Sequence, residues 1–337
     1  MPERFVIVLL SHGAADRMED IEPYYRHIRG DQPAVPAVLE ALRQHYQEIG
    51  GRSPLNAITQ ATAAALEEVL VRQHGVGSFR VLYGFRHTPP FAETVMSEAG
   101  SRTERGVLAI PLAPHVSRFT ELGYQKALAA ARAVAPDPVP VALSGPWHLE
   151  PDLVAFWAKS VQRAIDRLFP EARAAPKVLF TAHSLPERML KGSPYPGQLA
   201  EGARAIVERA GISPERFETC WQSASPAGDE GWAGPDLLEV LPRIAAQGSR
   251  GVVVVPHGFV SDHLEVLYDL DIRAKKAAED LGLGYARAEM PNASPLLVSA
   301  LASVVEATVS GRRGGPFAVA QTSLPQEPLR STHPGSR

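Results

Sequence analysis

Eight short apolar runs, separated by longer amphipathic stretches, limit the folds open to this chain more than any other feature of its sequence. The runs are 5–10, 79–83, 107–112, 139–143, 177–181, 217–221, 251–255 and a weaker one near Tyr285. Several are rich in Val, Ile and Phe and lack the period-two alternation of a half-solvated strand. Parallel strands buried on both faces read this way. The stretches between them carry helical patterns. Within 57–72, for example, Ile58, Ala61, Ala65, Leu66, Val69 and Leu70 fall on one face. Alternating strands and helices predict parallel sheets with crossover helices.

The eight runs divide into two sets of four, and the sets resemble each other. Val6-Ile7-Val8-Leu9-Leu10-Ser11-His12-Gly13 parallels Lys177-Val178-Leu179-Phe180-Thr181-Ala182-His183-Ser184, and Leu112-Ala113-Pro114-His115 parallels Val254-Val255-Pro256-His257. Each half thus has two strands that run into a histidine at the carboxyl end, where open α/β sheets bind ligands. A chain of 337 residues also exceeds what one hydrophobic core usually serves. The expected architecture is α/β. Two similar doubly wound lobes each hold a mostly four-stranded parallel sheet flanked by helices, with a cleft between them. The lobes are expected at 1–147 and 148–291, with a helix at 292–310 packing back on the first. Residues 311–337 are rich in Gly, Pro, Ser and Thr and read as a disordered tail.

Composition excludes several functions. Thirty-four basic and 37 acidic residues give a net charge of -3, with no general attraction to nucleic acid or anionic membrane. A single cysteine, Cys220, excludes an internal disulfide and a cluster held by four thiolates. The apolar run at 5–10 is too short for a signal peptide's core, and no stretch nears the roughly 18 to 20 apolar residues that span a bilayer. A soluble, cytoplasmic protein is expected.

Four places carry side chains suited to chemistry. His183 follows a buried strand and precedes Ser184-Leu185-Pro186, where the chain must turn. Imidazole there can bind metal or move a proton near neutral pH, and it can equally do no more than hydrogen-bond backbone. Glu265 lies in Gly258-Phe259-Val260-Ser261-Asp262-His263-Leu264-Glu265-Val266-Leu267-Tyr268-Asp269. Asp262 and Glu265 have the spacing of a helix capping box, the stronger reading on pattern alone. Asp262, Glu265 and Asp269 also have helical spacing, and such an acidic stripe beside an imidazole would suit a divalent ion such as Fe²⁺. The segments 24–30 and 50–55 mix Tyr, Arg, His and Ser around a Gly-Gly turn. They fit an ordinary surface helix, or a wall that covers a flat apolar ligand and holds its carboxylates. Trp221-Gln222-Ser223 fits a pocket lining or, more simply, core packing. Glycine-rich phosphate loops, the Gly-x-Ser-x-Gly elbow and His-Glu-x-x-His are absent.

Taken together these segments resemble the ferrochelatase family, which inserts ferrous iron into a porphyrin. The matching pieces are Tyr-Tyr-Arg-His-Ile-Arg at 24–29, Gly-Gly-Arg-Ser-Pro-Leu at 50–55, Leu-Ala-Pro-His at 112–115, Ala-His-Ser-Leu-Pro at 182–186, Trp-Gln-Ser at 221–223 and the segment 258–269. That last segment is similar to the coproporphyrin III ferrochelatases of bacteria, which form coprohaem in haem biosynthesis. The resemblance implies a lyase with a chelatase-like fold, acting as a monomer on coproporphyrin III and Fe²⁺. Iron is then a substrate, and neither a cofactor nor an iron–sulfur cluster is required. Protoporphyrin IX as substrate, a cobalt or nickel chelatase, and a non-catalytic haem or porphyrin carrier are the alternatives.

The resemblance also implies roles. His183 and Glu265 would be the catalytic and metal-handling pair. Arg29, Ser53 and Tyr124 would meet substrate propionates, with His45 and Tyr46 also at the substrate. Asp269 would continue an acidic path from Glu265 toward solvent. Two departures stand out. His12 occupies a place where coproporphyrin enzymes often carry a tyrosine that contacts product iron. Arg273 occupies one where some relatives have a further acid, and would repel Fe²⁺ or tie up Asp269, four residues earlier.

Overall fold

The computed structural model describes residues 4–224 and 231–310. All eight expected strands are present: β1 (Phe5–Ser11), β2 (Phe79–Phe85), β3 (Gly106–Pro111), β4 (Val141–Leu143), β5 (Lys177–His183), β6 (Phe217–Gln222), β7 (Gly251–Val255) and β8 (Gly284–Arg287). They form two sheets, ordered β2-β1-β3-β4 and β6-β5-β7-β8. Every pairing is parallel. The shared order gives the duplicated sequence pattern a structural form, with β1 equivalent to β5 and β3 to β7. In both sheets the winding reverses beside the central strand, which opens a crevice at the carboxyl ends. β4 starts at Val141, later than the apolar run suggested. Pro140 has no N–H to pair and contributes only its carbonyl, to the Val107 N–H at 2.9 Å.

The helices are α1 (Ile21–Ile28), α2 (Pro36–Glu48), α3 (Leu55–His74), α4 (Ala92–Arg102), α5 (Arg118–Arg132), α6 (Pro151–Asp166), α7 (Pro170–Arg173), α8 (Glu187–Leu190), α9 (Tyr195–Ala210), α10 (Leu237–Ala246), α11 (Lys275–Asp280) and α12 (Pro295–Val309). A π-helix spans Val266–Ala274. No helix among the described residues is long and apolar enough to cross a membrane. The tail expected at 311–337 lies outside the described residues.

Two sheets do not mean two separate cores. One apolar cluster runs from Ile7 and Leu9 of β1 through Leu66 and Leu70 of α3 and Trp157 and Val161 of α6 to Leu179 of β5 and Val253 of β7. A second cluster, with Val6, Val8, Met96 and Leu128, fills the other face of the first sheet. α12 lies on both α3 and α6. Ser294 caps it, accepting from the Leu297 N–H at 3.4 Å, and Pro295 occupies its first turn. Leu297, Leu301 and Val305 on this helix are fully buried.

Two glycines set the floor of the crevice. Gly13 has φ +84°, and a Cβ there would lie 2.6 Å from Thr88 Cγ2. At Gly258 a Cβ would lie 2.5 Å from that of Ala182, so the chain after β7 can pass close over the end of β5 only without a side chain.

Candidate active site

The two central strands each deliver one histidine to the crevice. His183 is the last residue of β5, and His12 follows β1 directly. His183 Nδ1 donates to the carbonyl of Ser184 at 2.6 Å. His12 Nδ1 lies 3.3 Å from the carbonyl of Gly13 and 3.2 Å from the Tyr24 hydroxyl. A carbonyl can only accept, so each Nδ1 carries the hydrogen, and in the neutral ring each Nε2 keeps its lone pair. Burial, more than any neighbouring charge, pushes the His12 imidazole down to about 4 and keeps it neutral at pH 7.

Glu265 enters from the third side, immediately before the π-helix. Burial works against its ionisation, but His263, His183 and His12 outweigh that, and the carboxyl sits below its ordinary value. His263 Nε2 is 3.3 Å from Glu265 Oε2, and His263 Nδ1 donates to the Ser261 carbonyl at 2.9 Å. An anionic oxygen pair therefore lies within electrostatic reach of two histidines that arrive from opposite sheets.

The capping box expected at Asp262 and Glu265 is absent. Asp262 turns instead to Asn292, whose Nδ2 donates to it at 2.7 Å, and to Arg287, 3.2 Å away. Nor does Asp262 join an acidic stripe. The element that carries Glu265 onward is a π-helix, whose i→i+5 bonds recur at functional sites. Farther along it, Asp269 accepts from the Ser223 hydroxyl and from Arg273 Nη1 at 3.0 Å. Arg273 thus ties up Asp269, as the sequence suggested. A cavity of about 300 Å³ opens here, lined by Gln222, Ser223, Asp236, Asp269 and Arg273 among others. On the neighbouring side the His45 ring stacks on Tyr268, centroids 3.8 Å apart.

The remaining candidate residues line or brace one wall. Tyr46 is fully buried, and its hydroxyl accepts from the Ala15 N–H at 3.1 Å, which fixes the chain just after His12. Ser53 is enclosed at the start of α3, accepting from the Leu55 N–H at 3.4 Å. Arg29 lies over the Tyr25 ring at 5.7 Å. Tyr124 is buried on α5 beside Arg86. Gln222 fits both readings: it is 2% exposed and accepts from the Thr181 hydroxyl at 2.7 Å, and it also lines the cavity beside Asp269.

Sequence reading gives no site role to His263, His87 or Arg86, and places Tyr24 only within the segment suited to cover a flat ligand. Tyr24 and His263 touch His12 and Glu265. His87 lies beside His12, ring centroids 4.6 Å apart, and is 3.1 Å from His27 Nδ1 to Nδ1. Arg86 rests on the Phe119 ring at 4.4 Å, in space that Gly123 leaves open. Arg86 and His87 follow β2 at its carboxyl end, so the rule that found His12 and His183 would have found them.

Known proteins similar in sequence to this chain fall in one family. The chain matches the Ferrochelatase family over residues 5–309. The coproporphyrin III ferrochelatase of Geobacillus sp. (strain WCH70) is 38% identical over 301 residues, 89% of this chain and 96% of that protein. The protein of the same name from Bacillus subtilis (strain 168) is 37% identical, again over 89% of this chain and 96% of its own length. Among solved structures, SirB from Bacillus subtilis with Fe³⁺ has a TM-score of 0.56 at 14% identity, covering 92% of this chain and 98% of that one, a likeness of fold. The chain belongs to the ferrochelatase family.

Proposed function

We propose that this protein inserts Fe²⁺ into coproporphyrin III to form coprohaem, with His183 and Glu265 at the reacting centre. The observation that carries the reading is the meeting of a free imidazole lone pair on His183 with an ionised carboxylate on Glu265 at the crevice. Relatives similar over nearly their whole length are named coproporphyrin III ferrochelatase, which supports the choice of porphyrin.

Insertion must remove two pyrrole protons and strip water from the metal as it meets a flat ring. Binding energy spent on bending the macrocycle turns the ring nitrogens toward the metal. His183 Nε2 then accepts a pyrrole proton or meets the iron. Glu265 assists from the same side, because its negative charge stabilises either an imidazolium or Fe²⁺. Arg29, Ser53, Tyr124, His45 and Tyr46 form the substrate wall, and Arg86 adds a guanidinium to it that suits a propionate. His12 offers Nε2 to product iron. Asp269 extends the negative path outward. Iron is a substrate here, and no resident cofactor is needed. We expect a monomer working in the cytoplasm.

The test is direct insertion, Fe²⁺ against Co²⁺ and coproporphyrin III against protoporphyrin IX. His183→Ala should retain porphyrin binding while insertion falls about 10²- to 10⁴-fold. Unchanged iron insertion by that variant removes the central claim. Stoichiometric haem bound without turnover would favour a carrier with His12 as axial ligand.

A further inference from the structure

The segment 17–49, which carries α1 and α2, has a small apolar cluster of its own. Ile21, Leu39 and Tyr46 form it, apart from the two clusters that fill the sheets. The chain entering the segment is pinned: Asn56 Nδ2 donates to the Ala14 carbonyl at 2.9 Å and to Asp16 at 3.0 Å. The chain leaving it is open. Gly50 and Gly51 have φ +96° and +84°, and a Cβ at Gly50 would meet nothing within 4 Å. A segment with few apolar ties and an open joint belongs to the part of a fold that moves most readily.

Toward the first half the segment leans on His12 and His87, through Tyr24 and His27. Toward the second half it meets Leu264 and Tyr268. The His45 ring of α2 stacks on Tyr268, with centroids 3.8 Å apart and planes 23° from parallel. Tyr268 lies in the π-helix, between Glu265 and Asp269 in sequence. The stack therefore ties the wall assigned to the porphyrin to the element that follows Glu265. Burial, opposed by Asp269, holds the His45 imidazole below its ordinary value, so at pH 7 the ring is chiefly uncharged. An uncharged ring laid on an aromatic face is a good stacking partner and a poor clamp for a carboxylate.

We propose that His45 and Tyr268 form a latch across the crevice, which parts to admit the macrocycle and closes again over it. The inference rests on coproporphyrin occupying the crevice, as proposed above. A flat ring of that size must pass between the two halves, and α2 meets the π-helix at that place. A latch closed in both the free and the loaded protein holds back entry and exit equally, so it sets rates and leaves affinity alone. A residue that grips the substrate acts differently: it slows departure and tightens affinity, while entry hardly changes.

The latch is tested by mixing metal-free coproporphyrin III with the full-length protein in a stopped-flow instrument, where porphyrin fluorescence gives both rate constants. In His45→Ala and in Tyr268→Ala, entry and exit should each accelerate about two- to tenfold, with the dissociation constant changed less than about twofold. The double variant should be no faster than either single one, because each already breaks the same contact. His45→Phe keeps the ring and removes both nitrogens, so it should keep the parent's rates. Both residues are half-buried and outside the apolar clusters of the sheets, so these variants take nothing from the core. Faster exit alone in His45→Ala and His45→Phe alike, with Tyr268→Ala at the parent's rates, would make His45 a propionate contact and overturn the latch. Unchanged rates in both alanine variants would overturn it too. Failure of the parent to bind coproporphyrin III would overturn the functional reading, and the latch with it.

Discussion

For His183, bonding to backbone and the chemistry proposed for it are compatible in one arrangement. Its Nδ1 hydrogen is taken by the Ser184 carbonyl, and that bond is what orients a free Nε2. Sequence alone could set these two readings against each other because it does not say which nitrogen the backbone takes. Arg273 offers a sharper test at the same scale. It is about half exposed and pairs with Asp269, so the pair should contribute less than about 1 kcal/mol to stability. Arg273→Ala should therefore leave the denaturation midpoint almost unmoved. It should lower the KM for Fe²⁺, because Asp269 loses a competing cation. An unchanged KM would remove Asp269 from the metal's path. Cys220 gives a prediction independent of function. It is 4% exposed, and burial, reinforced by Glu218 and Asp236, pushes its thiol well above the ordinary value. With so little thiolate, native protein at pH 8 should resist iodoacetamide, and urea-unfolded protein should be alkylated readily. Rapid native labelling, read by mass spectrometry, would contradict that burial.

Elements were legible wherever burial alone decided them. The inner strands were the plainest, because parallel strands covered on both faces must be apolar throughout, and β1 is buried at every residue, whereas the edge strands β2, β6 and β8 include partly exposed residues. The paired Pro-His endings after β3 and β7 exposed the duplication, which the common strand order bears out. The segment around Glu265 was legible only in part. Its spacing was read with an α-helical ruler, which made Asp262 and Glu265 a cap, whereas the chain forms a π-helix from Val266 to Ala274. Nothing in the residue types marks the change, because tertiary partners impose it: Asn292 and Arg287 claim Asp262, and His263 claims Glu265. α12 shows the opposite case, with a Ser-Pro start that announces the helix. Its burden is testable. Leu301 is fully buried in the cluster shared by both sheets, so Leu301→Ala should cost about 2 to 5 kcal/mol, read as a lower urea midpoint at constant slope. A loss below about 0.5 kcal/mol would show that α12 does not close this core.

At the scale of the whole molecule, the length of the chain predicted two lobes, yet the apolar interior does not divide where the sheets do. Ile7 and Leu9 belong to the same cluster as Leu179 and Val253, and α12, last in sequence, covers α3 from the first half. The groups proposed to react are split in the same way: His12 comes from one sheet, His183 and Glu265 from the other half. Rigid placement of these groups therefore depends on a core that both halves complete. Residues 1–147 alone would expose Leu66, Leu70 and the adjoining face of β1, a contiguous apolar surface larger than soluble monomers usually tolerate. That fragment should bind a hydrophobic dye and give broad, poorly dispersed amide resonances. Adding residues 148–310 in trans should restore dispersion and suppress dye binding, since the missing partners of α3 lie there. In the intact chain, urea unfolding followed by far-ultraviolet circular dichroism should coincide with unfolding followed by tryptophan fluorescence. Three of the four tryptophans, Trp157, Trp221 and Trp232, lie beyond residue 147, so fluorescence weights the second half, while dichroism reports both. Two separated transitions, or a fragment 1–147 that folds alone with sharp resonances, would mean that each sheet keeps its own core. The crevice would then be a hinge between independent bodies, and closure on the porphyrin would move His12 relative to His183.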